Sequence, residues 1–374
     1  MMQFRDLQKQ YKVLKPQIDA AVQRVCSEAN FISGQEVKKL ELQLAEYVGV
    51  KHCITCANGT DALTLILMAW GIGPGDAVLV PDFTFFASGE TVAFEGATPI
   101  FVDVDERTFN LDPNKLEEKI QQVKEQGKYN LRAVVAVDLF GLPADYTRIE
   151  RICKKYGLLL LEDGAQGFGG TANGRRVGSF GDAAATSFFP AKPLGCYGDG
   201  GAVFTDNDEW AALIRSYAVH GKGSMKYDNV RLGMNSRLDT IQAAILQVKL
   251  KAFQEYELDA VEQVSRWYDE VLEDSGFVLP YRPKNFTSSW AQYTVQVPEK
   301  VDRETLQEKL KAAGIPTMVY YPKPMHLQKA FAGTDSEEAV CPVTERLCAT
   351  VLSLPMHPYM SHQDVCRMEI LKSF

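Results

Sequence analysis

Two residues in this sequence are placed to act together on one ligand. They are Asp163, in Leu158–Gly164, and Lys192, in the loop Ser187-Phe188-Phe189-Pro190-Ala191-Lys192-Pro193-Leu194-Gly195. Leu158 to Leu161 reads as a buried strand that ends in Glu162-Asp163 and turns at Gly164. A carboxylate at the carboxyl end of a buried parallel strand points into the crevice where α/β folds bind ligands. Lys192 follows Ser187 by five positions, and Gly195, Gly198, Gly200 and Gly201 come after it. An acid in a crevice and a lysine on a tight loop can form a salt bridge. They are also the two protein handles that pyridoxal phosphate requires, a lysine for its Schiff base and an aspartate for its pyridinium nitrogen.

Strands alternating with helices must position these groups. Strands are expected at His52–Ala57, Val78–Val80, Pro99–Asp103, Arg132–Val137, Leu158–Leu161 and Gly201–Thr205. Helices are expected at residues 5–30, from Gly34 to Tyr47, and at Ala62–Trp70, Phe83–Glu95, Pro113–Val123, Ala144–Tyr156 and Asp208–Val219. That alternation implies crossover units and a mostly parallel sheet covered on both faces. Ser236 to Glu273 carries no Gly or Pro and reads as one long helix or a pair of helices crossing to a smaller domain. Beyond Phe277 the pattern is α+β, with strands at Gln292–Val297 and Thr317–Tyr321, helices at Arg303–Ala313 and Thr344–Leu352, and a turn at Leu354–His357. The expected division is a large domain over 1–245 and a small C-terminal domain over 246–374.

The 374 residues suffice for two domains, since single cores stop growing at about 250–300 residues. A net charge of −8 gives no electrostatic reason to hold nucleic acid. The eight cysteines are scattered, and Met1 to Arg5 lacks a signal-peptide pattern, so free thiols in the cytoplasm are expected. Cys53-x-x-Cys56 reads as two small hydrophobes on a buried strand rather than a redox pair, and no second Cys pair or His cluster completes a metal site. No apolar run approaches the roughly 20 residues of a membrane span.

Each remaining feature suits a part of pyridoxal phosphate. Asn58-Gly59-Thr60-Asp61 lies between a strand and a helix, so Gly59 and Thr60 offer a helix N-terminus to a phosphate. An ordinary capped helix start explains that stretch equally, until Ser187 is added as a second phosphate donor. Phe85, after Pro81-Asp82, can cover one ring face. Gln166 can hydrogen-bond the phenolic oxygen, Asp163 hold the ring nitrogen protonated, and Lys192 move the proton.

With these motifs in this order the sequence resembles the DegT/DnrJ/EryC1/StrS sugar-nucleotide aminotransferases, within the aspartate-aminotransferase fold. The matching stretches are Asn58-Gly59-Thr60-Asp61-Ala62-Leu63, Pro81-Asp82-Phe83-Thr84-Phe85, Glu162-Asp163-Gly164-Ala165-Gln166, Ser187 to Gly195, and Gly233-Met234-Asn235-Ser236-Arg237-Leu238-Asp239. Pro193 and Asp199 depart from the commonest pattern without removing a group the chemistry needs.

The resemblance implies a seven-stranded, mostly parallel sheet and a smaller α+β domain. It implies a homodimer with shared active sites, in which Asn235 reaches the neighbour's cofactor phosphate. Asn235 also suits a helix cap. The implied reaction moves an amino group from an amino acid, usually glutamate, to a nucleoside-diphosphate keto-sugar, for cell-surface polysaccharide or antibiotic sugars. Lys192 argues against the family's dehydratases, which carry His there. A regulator without turnover should have lost Lys192, Asp163 or the phosphate donors. Tyr321 and His326 lie in a stretch, Tyr320 to Gln328, that matches the family's sugar-side loop. His220, Lys222, Lys226, Arg231 and Arg237 offer cations to a diphosphate and a carboxylate. The loop sequences are most similar to the subgroup that aminates the 3-keto position of uronates derived from UDP-N-acetylglucosamine. In that subgroup Arg237 would grip the sugar carboxylate with two bonds.

Overall fold

The structure, a computed structural model, describes residues 2–225 and 227–374. Lys226, one of the expected cations, lies outside the described residues. Helices α1 (Leu7–Glu28) and α2 (Gln35–Val48) precede strand β1 (His52–Cys56). Asp6 caps α1 by accepting from the Lys9 N–H at 2.8 Å. Leu14 and Ile18 on α1 recur at helical spacing and bury against Ile245 and Ala252.

Strand and helix then alternate through α3 (Gly59–Ala69), β2 (Asp76–Pro81), α4 (Ala87–Phe94), β3 (Thr98–Val102), α5 (Pro113–Gln126) and β4 (Asn130–Val137). There follow α6 (Tyr146–Tyr156), β5 (Leu159–Asp163), a small pair β6 (Thr171–Ala172) and β7 (Arg175–Arg176), β8 (Ala183–Ser187), β9 (Gly201–Thr205) and α7 (Asp208–Tyr217). The main sheet has seven strands in the order β1-β9-β8-β5-β4-β2-β3. It is parallel except at β9, which runs antiparallel to both β1 and β8. The expected α/β architecture is therefore present, and the carboxyl ends of β1, β2, β4, β5 and β8 share one edge.

Four local expectations need correction. Strand β8 is absent from the expected set, because Ala-Ala-Ala-Thr-Ser has neither alternation nor bulk. It is small because it is buried between β5 and β9, with α3 packed against it. The helix expected from Phe83 begins only at Ala87, which leaves residues 83–86 as a loop. The run 236–273 takes the second of its two expected forms, a pair of helices, α8 (Thr240–Ala252) and α9 (Leu258–Leu272), joined by a π-turn at Phe253–Glu257. Thr317–Tyr321 forms no strand, because only Met318 bridges to Ser353. The last expected helix stops at Thr350.

After α9 come β10 (Phe286–Thr287), β11 (Tyr293–Gln296), α10 (Arg303–Ala312), α11 (Pro342–Thr350), β12 (Val351–Leu354) and α12 (His362–Cys366). The β12 strand, Val351-Leu352-Ser353-Leu354, pairs with β11, and Met356 continues onto Phe4 with no turn at Leu354. A second core of Val264, Tyr268, Tyr293, Leu306, Leu352 and Val365 forms here, separate from that of the main sheet. No helix among the described residues is long and apolar enough to cross a membrane. Cys53 and Cys56 are buried and unpaired on β1.

Candidate active site

The first wall of the site is the start of α3. Asn58 caps it, its Oδ1 accepting from the Asp61 N–H at 2.8 Å. The Gly59 and Thr60 N–H groups have no protein acceptor among the described residues, so the helix start offers two free donors. Two glycines bring it close to β8. A Cβ on Gly59 would lie 2.7 Å from the Ser187 Cβ, and one on Gly201 would lie 2.4 Å from the Asn58 carbonyl oxygen. Ser187 thus borders the free N–H groups, in a cradle that suits a phosphate.

Asp163 ends β5, paired with Val137 on one side and Ala185 on the other. It is buried. Its Oδ2 accepts from Ser88 Oγ at 2.7 Å, and Ser88 Oγ in turn lies 3.0 Å from Thr84 Oγ1. Burial pushes the Asp163 carboxyl above the usual range, opposed by the Ser88 hydrogen bond and the Lys192 charge. Lys192 responds in the mirror sense. Burial pushes its amine below the usual lysine value, and Asp163 pulls it back. The two groups therefore sense each other, yet no ion pair or hydrogen bond joins Nζ to Asp163 or to any other described side chain. The amine and the carboxylate are thus not tied to each other, as a group bound by both would require.

Gln166 and Tyr321 form the next side. Gln166 Oε1 accepts from the Phe140 N–H at 2.9 Å, and its Nε2 donates to the Tyr321 hydroxyl at 3.0 Å. The Phe85 ring is 53% exposed and packs against Tyr321 at 6.3 Å between centroids, so one face is open to cover a ligand. The structure thus brings together two clusters, Gly59, Thr60 and Ser187 on one wall, and Asp163, Lys192, Gln166, Tyr321 and Phe85 on the other.

Asn235 and Arg237 flank Ser236, whose Oγ accepts from the Ala57 N–H at 3.0 Å just before the Asn58 cap, and neither side chain bonds a residue of the two clusters. Asn235 is exposed on the loop after α7, its backbone bridged to Val219. Arg237 lines an open hollow of about 1000 Å³ together with His220, Lys222, Arg231 and Tyr227. Arg231 is held by Ser216 Oγ at 2.6 Å, whereas the Arg237 and Lys222 side chains form no ion pair among the described residues. Phe31, Ile32, Val230 and Leu232 expose apolar surface near this loop. His326 is only 3% exposed, and its Nδ1 lies 2.7 Å from Asp82 Oδ2 while its backbone N–H donates to Asp82 Oδ1. It ties the Tyr321 loop to the Phe85 loop. Asp82, His326 and Cys341 place ligand-type atoms within 4.8 Å of one another, but Nδ1 and Oδ2 are spent on each other.

Sequence reasoning missed Ser88, Thr84, Arg5 and Asp138. Behind Asp163, Asp138 and Glu162 are fully buried on the opposite face of β4 and β5. Glu162 accepts from the Gly178 and Phe180 N–H groups at 2.7 and 2.8 Å. Burial pushes the Asp138 carboxyl up to about 7, and Glu162 is raised too by burial and by the Asp138 charge. Asp138 Oδ2 has no other buried partner, so one proton shared between the two acids satisfies it.

A raised acid holds a proton in the folded state that the unfolded chain releases. Stability should then fall as pH rises from about 4 to about 7, and level off above. Thermal melting of Asp138→Asn should lose that slope, while an unchanged slope would place the proton elsewhere.

Residues 12–370 match the model of the DegT/DnrJ/EryC1/StrS aminotransferase family. The chain belongs to this family. It is 48% identical to the Pseudomonas aeruginosa UDP-2-acetamido-2-deoxy-3-oxo-D-glucuronate aminotransferase, over 98% of each chain. A DegT DnrJ EryC1 StrS aminotransferase from Brucella abortus superposes with a TM-score of 0.96 at 47% identity, covering 100% of this chain and 99% of that one. The Bacillus subtilis protein ntda, solved with bound cofactor PMP, matches at a TM-score of 0.86 and 29% identity, over 96% of this chain and 81% of that one. This family member is an aminotransferase, and the clusters around Lys192 and Ser187 fit the ring and phosphate of pyridoxal phosphate.

Proposed function

We propose that this aminotransferase moves the amino group of an amino acid, glutamate foremost, onto a nucleoside-diphosphate keto-sugar, with UDP-linked 3-keto uronates as the first substrates to try. The observation that carries the proposal is the Lys192 amine, desolvated and unpaired opposite Asp163. The close likeness to the Pseudomonas enzyme supports the sugar class.

When bound, pyridoxal phosphate supplies an electron sink that lets a proton move at the carbon bearing nitrogen. The protein does the rest. Asp163, oriented by Ser88, holds the ring nitrogen protonated. Lys192 Nζ would hold the cofactor and serve as the base that moves the proton, an amine that burial keeps easy to deprotonate. Gly59, Thr60 and Ser187 hold the phosphate. Gln166, fixed by the Phe140 N–H, presents its amide to the phenolic oxygen, and Phe85 covers the ring. Tyr321 closes the sugar side. His326 acts from behind, by holding the Tyr321 loop on Asp82.

The active form in this reading is a homodimer. Asn235 is exposed and Arg237 lines an open hollow beside exposed apolar residues, which suits delivery to a neighbour's site. Arg237 would then grip the sugar carboxylate. The division into domains near 245/246 is also a proposal, and α8 spans it.

Subunit exchange tests the sharing. Mixing Lys192→Ala with Asn235→Ala protomers should recover about a quarter of wild-type activity, because half the dimers are mixed and each has one intact site. No recovery above the separate variants would place Asn235 in its own subunit's site. The reaction itself is tested by incubation with glutamate and a panel of UDP- and dTDP-linked 3-keto and 4-keto sugars, with mass spectrometry of the product. Formation of 2-oxoglutarate and an amino sugar from a UDP-3-keto uronate is expected. Preference for a 4-keto-6-deoxy sugar would overturn the assignment of the sugar, and absence of 2-oxoglutarate the assignment of the donor.

A further inference from the structure

The loop that carries Lys192 has a partner 187 residues away in sequence. Arg5, just before α1, donates from Nη2 to the Lys192 carbonyl oxygen at 2.8 Å and to the Pro193 carbonyl oxygen at 3.4 Å. The loop folds tightly, with the Lys192 N–H on the Phe189 carbonyl at 2.8 Å and the Cys196 N–H on the Phe188 carbonyl at 2.8 Å. The Lys192 and Pro193 carbonyls accept from no backbone N–H among the described residues, and one guanidinium reaches both.

Arg5 is itself held in place. The Met356 N–H donates to the Phe4 carbonyl at 3.1 Å, and the Phe4 ring stands edge-on to Tyr320 at 6.2 Å. The N-terminal segment therefore bridges the lysine loop and the C-terminal part of the chain.

The charges around Arg5 form one group, in which Glu257 and Lys249 are buried and Arg5 is half-buried. Glu257 accepts from Gln10 Nε2 at 2.8 Å and from the Tyr359 hydroxyl at 2.6 Å, and it faces Arg5 and Lys249. Lys249 is 2% exposed, and burial pushes it down to about 8. Arg5 falls to about 10 for the same reason, with Glu257 and Tyr320 opposing. The groups that act on the Lys192 amine are burial, then Asp163, which favours the ammonium, then Arg5, which disfavours it.

We propose that Arg5 is a positioning residue for Lys192, its guanidinium fixing the backbone of the lysine loop and holding a positive charge beside the Lys192 amine. The proposal rests on Lys192 being the reactive amine of the proposed function, but its test does not require turnover. Cofactor-free, full-length protein is acylated with an amine-reactive ester at a series of pH values, and modification of the Lys192 peptide is read by mass spectrometry.

Arg5→Gln should raise the midpoint of the labelling curve by roughly half to one pH unit, because a nearby, half-buried cation has been removed. Labelling at a pH below the midpoint should then be about three- to tenfold slower. Arg5→Lys keeps the charge and should return the midpoint toward wild type. Arg5→Met replaces Arg5→Gln if the latter does not fold, with melting temperature as the check. A curve for the neutral variant that overlays wild type would overturn the proposal, as would an equal shift in Arg5→Lys. Failure of Lys192 to hold cofactor, with the labelling shift intact, would instead sink the assignment of Lys192.

Discussion

Lys192→Ala is expected to lose all measurable aminotransfer, a fall of about 10⁴-fold or more, since it removes both the attachment point and the proton carrier. The fold should not suffer. The side chain makes no hydrogen bond or ion pair among the described residues, and Arg5 binds the backbone carbonyl, which alanine keeps. Removing a desolvated amine should leave the melting temperature equal to wild type or slightly higher. The check is to pair steady-state rates with a thermal melt. A variant that lost rate and unfolded together would show Lys192 to be structural, and one that kept its rate would end the proposed chemistry.

Asp163→Asn is the second large effect. The amide has nearly the same shape and can still accept from Ser88, so the pocket should keep its form. It cannot hold a proton on a ring nitrogen, because it carries no negative charge. The expected loss is about 10²–10⁴-fold in kcat, the range for a misplaced proton, with a much smaller change in cofactor affinity. The substitution should also lower the midpoint of the Lys192 labelling curve, since the carboxylate is what favours the ammonium. A fall in cofactor affinity with unchanged kcat would mean that Asp163 only holds the ring. Because Asp163 is a buried carboxylate pushed upward by its surroundings, the variant should be no less stable than wild type at pH 7.

The parts of this fold that were legible in the sequence are those where one residue type has one strong physical use. Apolar strands such as β4, with its run Ala133-Val134-Val135-Ala136-Val137, and the helix start that follows Asn58 read directly. So did the seven-stranded sheet, through its motif order. Strand β8 did not, because Ala183-Ala184-Ala185 is selected by lack of space, which shows only once β5, β9 and α3 are in place. The run through Thr350 carried a helical rhythm to its end, but pairing with β11 captured Val351 to Leu354.

The candidate site divides in the same way. Asp163, Gln166, Ser187 and Lys192 sit in short motifs, whereas Ser88 and Arg5 act across 75 and 187 residues and have no local signature. His326 lay in a motif, yet its buried bond to Asp82 depends on a contact 244 positions away.

The claim at the centre is that Lys192, and no other lysine, holds pyridoxal phosphate. Borohydride reduction of the protein incubated with pyridoxal phosphate, then digestion and peptide mass spectrometry, tests it most directly. A single pyridoxyl-phosphate mass on the peptide containing Lys192 is the expected result. A label on Lys249 or a surface lysine, with Lys192 unmodified, would contradict it.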